Sequence, residues 1–307
     1  MTIIKPKSLN HGDMVGMIAP ASPVSEEKIE KAMEFLCSLG YRVKLGKSAR
    51  KEYGYLAGND QERVEDLEQM FLDPEVKVIF CLRGGYGSTR LLDRIDYEMI
   101  HGHPKIFVGY SDITALHIAI HQFAGLVTFH GPMAAELTDR NKDRSWPVLQ
   151  AVCSGVDQPC YRGNKRFVPI VPGTAEGVLT GGNLSLLCST LGTPFEIDTR
   201  DRVLFIEEVD EEVYKIDRML TQLRLAGKLD QAKGIILTDF RLPDTSKNKP
   251  VISLLEMIRN LLAPLKIPCF YGLSAGHCRP NFTLPIGARV RMDARRGLLH
   301  VLETVVS

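Results

Sequence analysis

Residues 105–120 read Lys105-Ile-Phe-Val-Gly-Tyr-Ser111-Asp-Ile-Thr-Ala-Leu-His-Ile-Ala-Ile. The apolar run before Gly109 has the length and composition of a buried strand. Ser111 falls on a sharp turn, and the residues after it have helical spacing. A strand, a turn and a helix in that order lift one hydroxyl above a sheet edge. They also aim the positive end of a helix at whatever the hydroxyl meets. Ser111 is therefore a candidate nucleophile, and a serine nucleophile needs a base and a group that orients the base. The competing reading is an N-cap serine that satisfies a backbone N–H of the first helical turn. The motif lacks the second glycine of the G-x-S-x-G elbow, so that fingerprint does not apply.

Outward from this stretch, the first half alternates strands and helices. Strands are expected at Asp13–Ala19, Tyr41–Leu45 and Val76–Leu82. Helices are expected from Glu26 to about Leu39, with Ser25 as N-cap, from Gln61 to Leu72, and from Thr89 to about Leu92. Gly40 fits the position just after a helix. Such alternation with short apolar strands implies a parallel sheet covered on both faces. Residues 153–173 carry Pro159, Pro169, Pro172 and Gly173 and read as a connection. Beyond it, strands are expected at Ala175–Thr180, Val203–Val209, Gly234–Phe240 and Pro268–Leu273. Helices are expected at Leu184–Leu191, Tyr214–Ala226 and Leu254–Leu262. The tail from Phe282 reads as antiparallel strands. The expected architecture is α/β: an N-terminal parallel-sheet α/β/α domain over 1–152, a linker over 153–173, and a smaller mixed β/α domain over 174–307.

Composition narrows the function. Thirty-eight Lys and Arg stand against 37 Asp and Glu, scattered without a basic face, which argues against a nucleic-acid partner. No segment approaches the ~20 apolar residues of a membrane span. Residues 1–8 lack the apolar core of a secretory signal. The seven cysteines include no CxxC and read as reduced and mostly buried, which fits a cytoplasmic protein.

The remaining candidates are local. Arg83-Gly84-Gly85-Tyr86-Gly87 follows a strand and precedes a helix. Such a loop either exposes backbone N–H groups to a phosphate or oxyanion, or serves only as a tight turn. Glu207 and Glu208 end a strand, and alternation sends them to opposite faces, so one of the two can face a site. His277 lies in the turn Ser274-Ala-Gly-His. Cys278 beside it is a weaker nucleophile candidate. His117 and His121 lie four apart on the helix after Ser111 and read as packed groups rather than metal ligands.

Taken together, Arg83-Gly-Gly-Tyr-Gly87, Gly109-Tyr-Ser-Asp112, Gly181-Gly-Asn-Leu184, Leu204-Phe-Ile-Glu-Glu208, Arg218-Met-Leu-Thr-Gln-Leu223 and Gly276-His277 resemble the LD-carboxypeptidase family of serine peptidases. The blocks follow the family's order over nearly the whole chain. The resemblance implies a triad of Ser111 as nucleophile, Glu207 as orienting carboxylate and His277 as base and acid. It implies an oxyanion hole from the backbone N–H groups of Gly85 and Asp112. Arg83, Gly84 and Tyr86 become candidates for holding substrate, and neither metal nor cofactor is needed. Ser111 would come from the first domain and the other two from the second. The implied reaction releases the terminal D-alanine of a murein tetrapeptide, in a cytoplasmic homodimer. A branch of the family hydrolyses aminoacyl-nucleotide antibiotics of the microcin C type. A non-catalytic binder of an anionic ligand, using the two glycine loops, is the alternative from another class.

Overall fold

The computed structural model describes residues 2–137, 145–155, 158–244 and 252–307, in two compact units. The first comprises Met1–Asp157, Pro280–Gly287 and Thr304–Ser307. Its strands are β1 (Met14–Ile18), β2 (Arg42–Leu45), β3 (Val76–Cys81), β4 (Ile106–Gly109), β5 (Thr128–His130) and β12 (Leu284–Ile286). They form one sheet in the order β12-β5-β4-β3-β1-β2. β1 to β5 are parallel, and only β12 runs against its neighbour. The crossovers carry α1 (Glu26–Ser38), α2 (Asp60–Leu72), α3 (Tyr97–Gly102) and α4 (Thr114–Ala119), and α5 (Ser145–Ser154) follows β5. β3 and β4 are almost wholly buried, which is why they read as continuous apolar runs without alternation.

The second unit comprises Gln158–Arg279 and Ala288–Glu303. It is built on β6 (Cys160–Arg162), β7 (Val168–Val171), β8 (Thr174–Asn183), β9 (Arg202–Val209), β10 (Gly234–Arg241), β11 (Cys269–Tyr271), β13 (Arg289–Asp293) and β14 (Leu298–Val301). The sheet order is β6-β14-β13-β8-β9-β10-β11-β7. β8 to β11 are parallel, and the flanking strands are antiparallel. Helices α6 (Leu184–Ser189), α7 (Val213–Leu225) and α8 (Leu254–Leu262) make the parallel crossovers.

The linker expectation needs correction. Within 153–173, the chain forms the two edge strands of the second sheet, β6 and β7. Pro169 is tolerated because an edge strand has one side with no ladder to donate to. Residues 174–307 also do not stay in one unit. Strand β12 pairs with β5, and Ser307 bonds the backbone of Pro6 and Ser8, which returns the tail to the first unit.

Candidate active site

Ser111 follows β4 with φ of 61°. A left-handed backbone at a non-glycine residue is strained by roughly 1–3 kcal/mol and persists only where its surroundings impose it. Here the surroundings can be named. Asp112 is buried, its carboxylate accepts from the Ser88 N–H at 2.8 Å, and its carbonyl accepts from the Ser88 hydroxyl at 2.5 Å. Burial pushes the Asp112 carboxyl up, against the pull of the Ser88 and Gly87 N–H groups. The residue after Ser111 is thereby tied to the end of the glycine loop that follows β3. Ser111 is the first residue of a short helical turn, Ser111–Ile113, whose N-cap position is Tyr110, so the N-cap reading does not describe it.

The glycine loop after β3 closes against this turn. A Cβ on Gly84 would lie 3.1 Å from Ser111 Cβ and 3.3 Å from the Asp112 nitrogen. Gly85 has φ of 101°, and a Cβ there would fall 2.5 Å from the Ser22 hydroxyl oxygen. Ser22, on the loop after β1, fixes the loop from below. Its N–H donates to the Gly84 carbonyl at 3.2 Å, and its Oγ accepts from the Tyr86 N–H at 3.1 Å. Ser22 escaped the sequence reading, because a lone serine in a Pro/Ser turn carries no signal. Among the described residues no acceptor is paired with the backbone N–H of Gly85 or Asp112. Tyr86 is exposed and meets Tyr55 edge-to-face with ring centres 5.5 Å apart. Arg83 is exposed, and its guanidinium donates to the Pro23 carbonyl at 3.1 Å.

In the second unit the two glutamates of β9 separate as alternation requires. Glu207 is fully buried, and its Oε2 lies 2.6 Å from His277 Nδ1. Glu208 turns the other way and serves the start of α6. It accepts from the Ser185 N–H and hydroxyl, the Asn183 amide and the Val209 N–H, at 2.7–3.1 Å. Burial raises its carboxyl. Gly276, at φ of 106°, lets the chain pass over Glu207, since a Cβ there would sit 2.8 Å from Oε2. An imidazole beside a carboxylate that water does not reach has one fixed orientation and a supported cationic form.

The other candidates resolve simply. Cys278 is pushed up to about 12 by burial and by the Asp239 and Glu207 carboxylates, so its thiolate is disfavoured. His117 is fully buried, its Nε2 lies 2.8 Å from the Gly109 carbonyl, and burial lowers its pKa to about 4. His121 packs in the core against Gly287. No cluster of metal-ligating residues occurs among the described residues, and no helix there is long and apolar enough to cross a membrane.

The chain matches the LD-carboxypeptidase N-terminal domain over residues 15–131 and the LD-carboxypeptidase C-terminal domain over 176–292. It is 50% identical over 293 residues to a probable murein peptide carboxypeptidase of Bacillus subtilis, covering 94% of this chain and 91% of that one. Among solved structures it is similar to a muramoyltetrapeptide carboxypeptidase from Oxalobacter formigenes, with a TM-score of 0.85, 30% identity and coverage of 94% and 99%. It is also similar to the microcin C7 self immunity protein MccF, with a TM-score of 0.89, 25% identity and coverage of 99% of both chains.

Proposed function

The chain belongs to the LD-carboxypeptidase family, whose members are serine peptidases, and from that premise we propose that it removes the terminal D-alanine from a murein tetrapeptide. The observation that carries the reading is the pairing of buried Glu207 with His277 at 2.6 Å, together with the strained Ser111 of the other unit.

In this reading Ser111 Oγ attacks the carbonyl carbon between the diamino acid and D-alanine. Its proton passes to His277 Nε2, because Nδ1 is engaged by Glu207. The oxyanion is received by the N–H groups of Gly85 and Asp112, each worth ~3–4 kcal/mol in hydrolases where such a donor has been removed. The C–N bond then breaks and His277 returns the proton to the D-alanine amine. Water attacks the Ser111 ester, giving its proton to His277, which passes it to Ser111 Oγ as the acyl–oxygen bond breaks, and the shortened peptide leaves as the acid. Gly84 borders Ser111, Arg83 and Tyr86 lie on the same loop, and in this reading Arg83 is a clamp for the terminal carboxylate. The reading places the enzyme in the cytoplasm as a homodimer that recycles cell-wall peptide and uses neither metal nor cofactor.

The test is D-alanine release from L-Ala-D-Glu-meso-diaminopimelyl-D-Ala without added metal. Wild type releases it, and Ser111→Ala is slower by ~10⁴-fold or more. Unchanged turnover in the variant removes Ser111 from the reaction. The Tyr55–Tyr86 pair beside the glycine loop and the likeness to MccF favour one second reading, hydrolysis of an aminoacyl nucleotide. That substrate is run in parallel, and preference for it by kcat/KM displaces the murein reading.

A further inference from the structure

Next to Glu207 the second sheet carries an irregularity. Leu237 of β10 pairs with Ile206 of β9, and Phe240 pairs with Glu208. Two residues of β10, Thr238 and Asp239, therefore stand opposite Glu207 alone. An extra residue of this kind re-aims side chains, and it is uncommon between parallel strands. Thr238 closes the gap by donating its hydroxyl to the Ile206 carbonyl at 3.2 Å. Asp239 is left with a side chain only 4% exposed, close enough to feel both Glu207 and His277.

A carboxylate so placed needs positive charge. Among the described residues its ion-pair partner is Arg166, whose Nη1 lies 3.5 Å from Oδ1. That separation is long for a hydrogen bond, so most of the acceptor capacity of Asp239 is unspent. Arg166 also pulls on the Tyr271 hydroxyl, whose pKa burial raises, yet its side chain is 62% exposed. A guanidinium has five donors, and most of this one faces outward. The segment carrying it is seated on the end of β11. The Asn164 N–H donates to the Gly272 carbonyl at 2.7 Å, and its amide reaches the Ser274 hydroxyl at 3.2 Å. Gly272, at φ of 99°, lies under the Arg166 backbone, 2.8 Å from where a Cβ would be. The bulge and the seated loop thus converge to put one unsatisfied anion and one open cation side by side, next to the His277–Glu207 pair.

We propose that Asp239 and Arg166 form a subsite for a zwitterionic amino-acid head, with the ammonium on Asp239 and the carboxylate on Arg166. This rests on the carboxypeptidase reading, which supplies such a head: the free D-centre of a meso-diaminopimelyl residue. An ammonium between Asp239 and Glu207 also offsets the repulsion between two buried carboxylates.

The test is calorimetric binding to Ser111→Ala protein, which leaves the peptide uncut, with three tetrapeptides. One carries meso-diaminopimelate, one its acetylated side-chain amine, and one L-lysine, which lacks the second carboxylate. On that background Asp239→Asn weakens the diaminopimelyl and lysyl peptides by ~10–100-fold and the acetylated peptide far less. Arg166→Met weakens the diaminopimelyl and acetylated peptides and not the lysyl one. In Ser111-bearing enzyme the same losses appear in KM more than in kcat. Equal loss on all three peptides, or none, overturns the subsite and leaves the carboxypeptidase reading standing. Binding that follows the expected pattern, with no D-alanine released by wild type, removes the carboxypeptidase reading and keeps the subsite. No binding of any peptide overturns the subsite.

Discussion

Ser111 and His277 each lie in a turn, and the two turns are built from different materials. Ser111 is held through its neighbours, by bonds between Asp112 and Ser88 that pair one side chain with one backbone group each. Its φ of 61° is sustained by Asp112–Ser88 bonds and by glycines that bring a second loop within contact distance. His277 is held by a side chain, the fully buried Glu207, with one glycine admitted so the chain can pass over it. The first arrangement stores strain in a rigid sheet edge and leaves two N–H donors unspent. The second stores charge in a dry interior. If Ser111 is the nucleophile it needs position, which the Asp112–Ser88 bonds and the close glycines supply. A base needs an orientation and a partner for its cation, and only an ionisable side chain supplies both.

That contrast can be tested from either side. Among the residues that support Ser111 and His277, the largest effect is expected at Glu207. Glu207→Gln keeps the shape and removes the charge, and kcat falls by ~10³–10⁴-fold, as when the carboxylate of other triads is neutralised. Steady-state kinetics with a circular-dichroism check on folding decides it. A loss under tenfold means the charge is not what the buried carboxylate contributes. Gly276→Ala comes next. The added methyl meets Glu207 Oε2 and forces φ of 106° on a residue with a side chain. Stability drops by ~1–3 kcal/mol, and activity drops with it as the pair is displaced. Wild-type kinetics in this variant would mean that the close passage over Glu207 is incidental.

A smaller effect is expected where the glycine loop is anchored. Asp60 bonds Arg90 and the fully buried Arg63, and Arg63 in turn donates to the Gly87 carbonyl of the glycine loop at 2.9 Å. Its pKa is lowered to about 2 by the Arg90 hydrogen bond and then Arg63. Depression below the unfolded carboxylate value means the stabilisation is complete above about pH 4. It is lost as pH falls toward 2. Asp60→Asn should therefore cost ~1–3 kcal/mol at pH 7 and flatten the acid limb of a denaturation series. An unchanged acid limb would mean that the glycine loop does not depend on this anchor.

Much of this was legible in advance, and the misses have physical causes. The parallel strands of the first sheet were plain because buried strands are continuous apolar runs. Helix α2 begins at Asp60, one residue ahead of the expected start, because Asn59 and Glu62 form a reciprocal capping box. Ser25 stands at the expected N-cap of α1, but its side chain makes no capping bond. Strand β5 went unread because Thr128–His130 is only three residues long. Residues 153–173 are polar and proline-bearing because edge strands accept both. The choice between Glu207 and Glu208 needed the fold, since alternation says that they diverge but not which one meets His277. Arg166 and Asp239 had no local signature. One lies in the supposed linker, the other inside an apolar strand, and only the bulge in β10 and the loop seated on β11 bring them together.

The most direct test of the account couples the two regions. D-alanine release is measured for wild type, Ser111→Ala, His277→Ala and the double variant. If Ser111 and His277 act as one unit, each single variant loses nearly all activity and the double variant is no slower than either. Multiplying losses, or a single variant that keeps wild-type turnover, would contradict a serine nucleophile served by the Glu207–His277 pair.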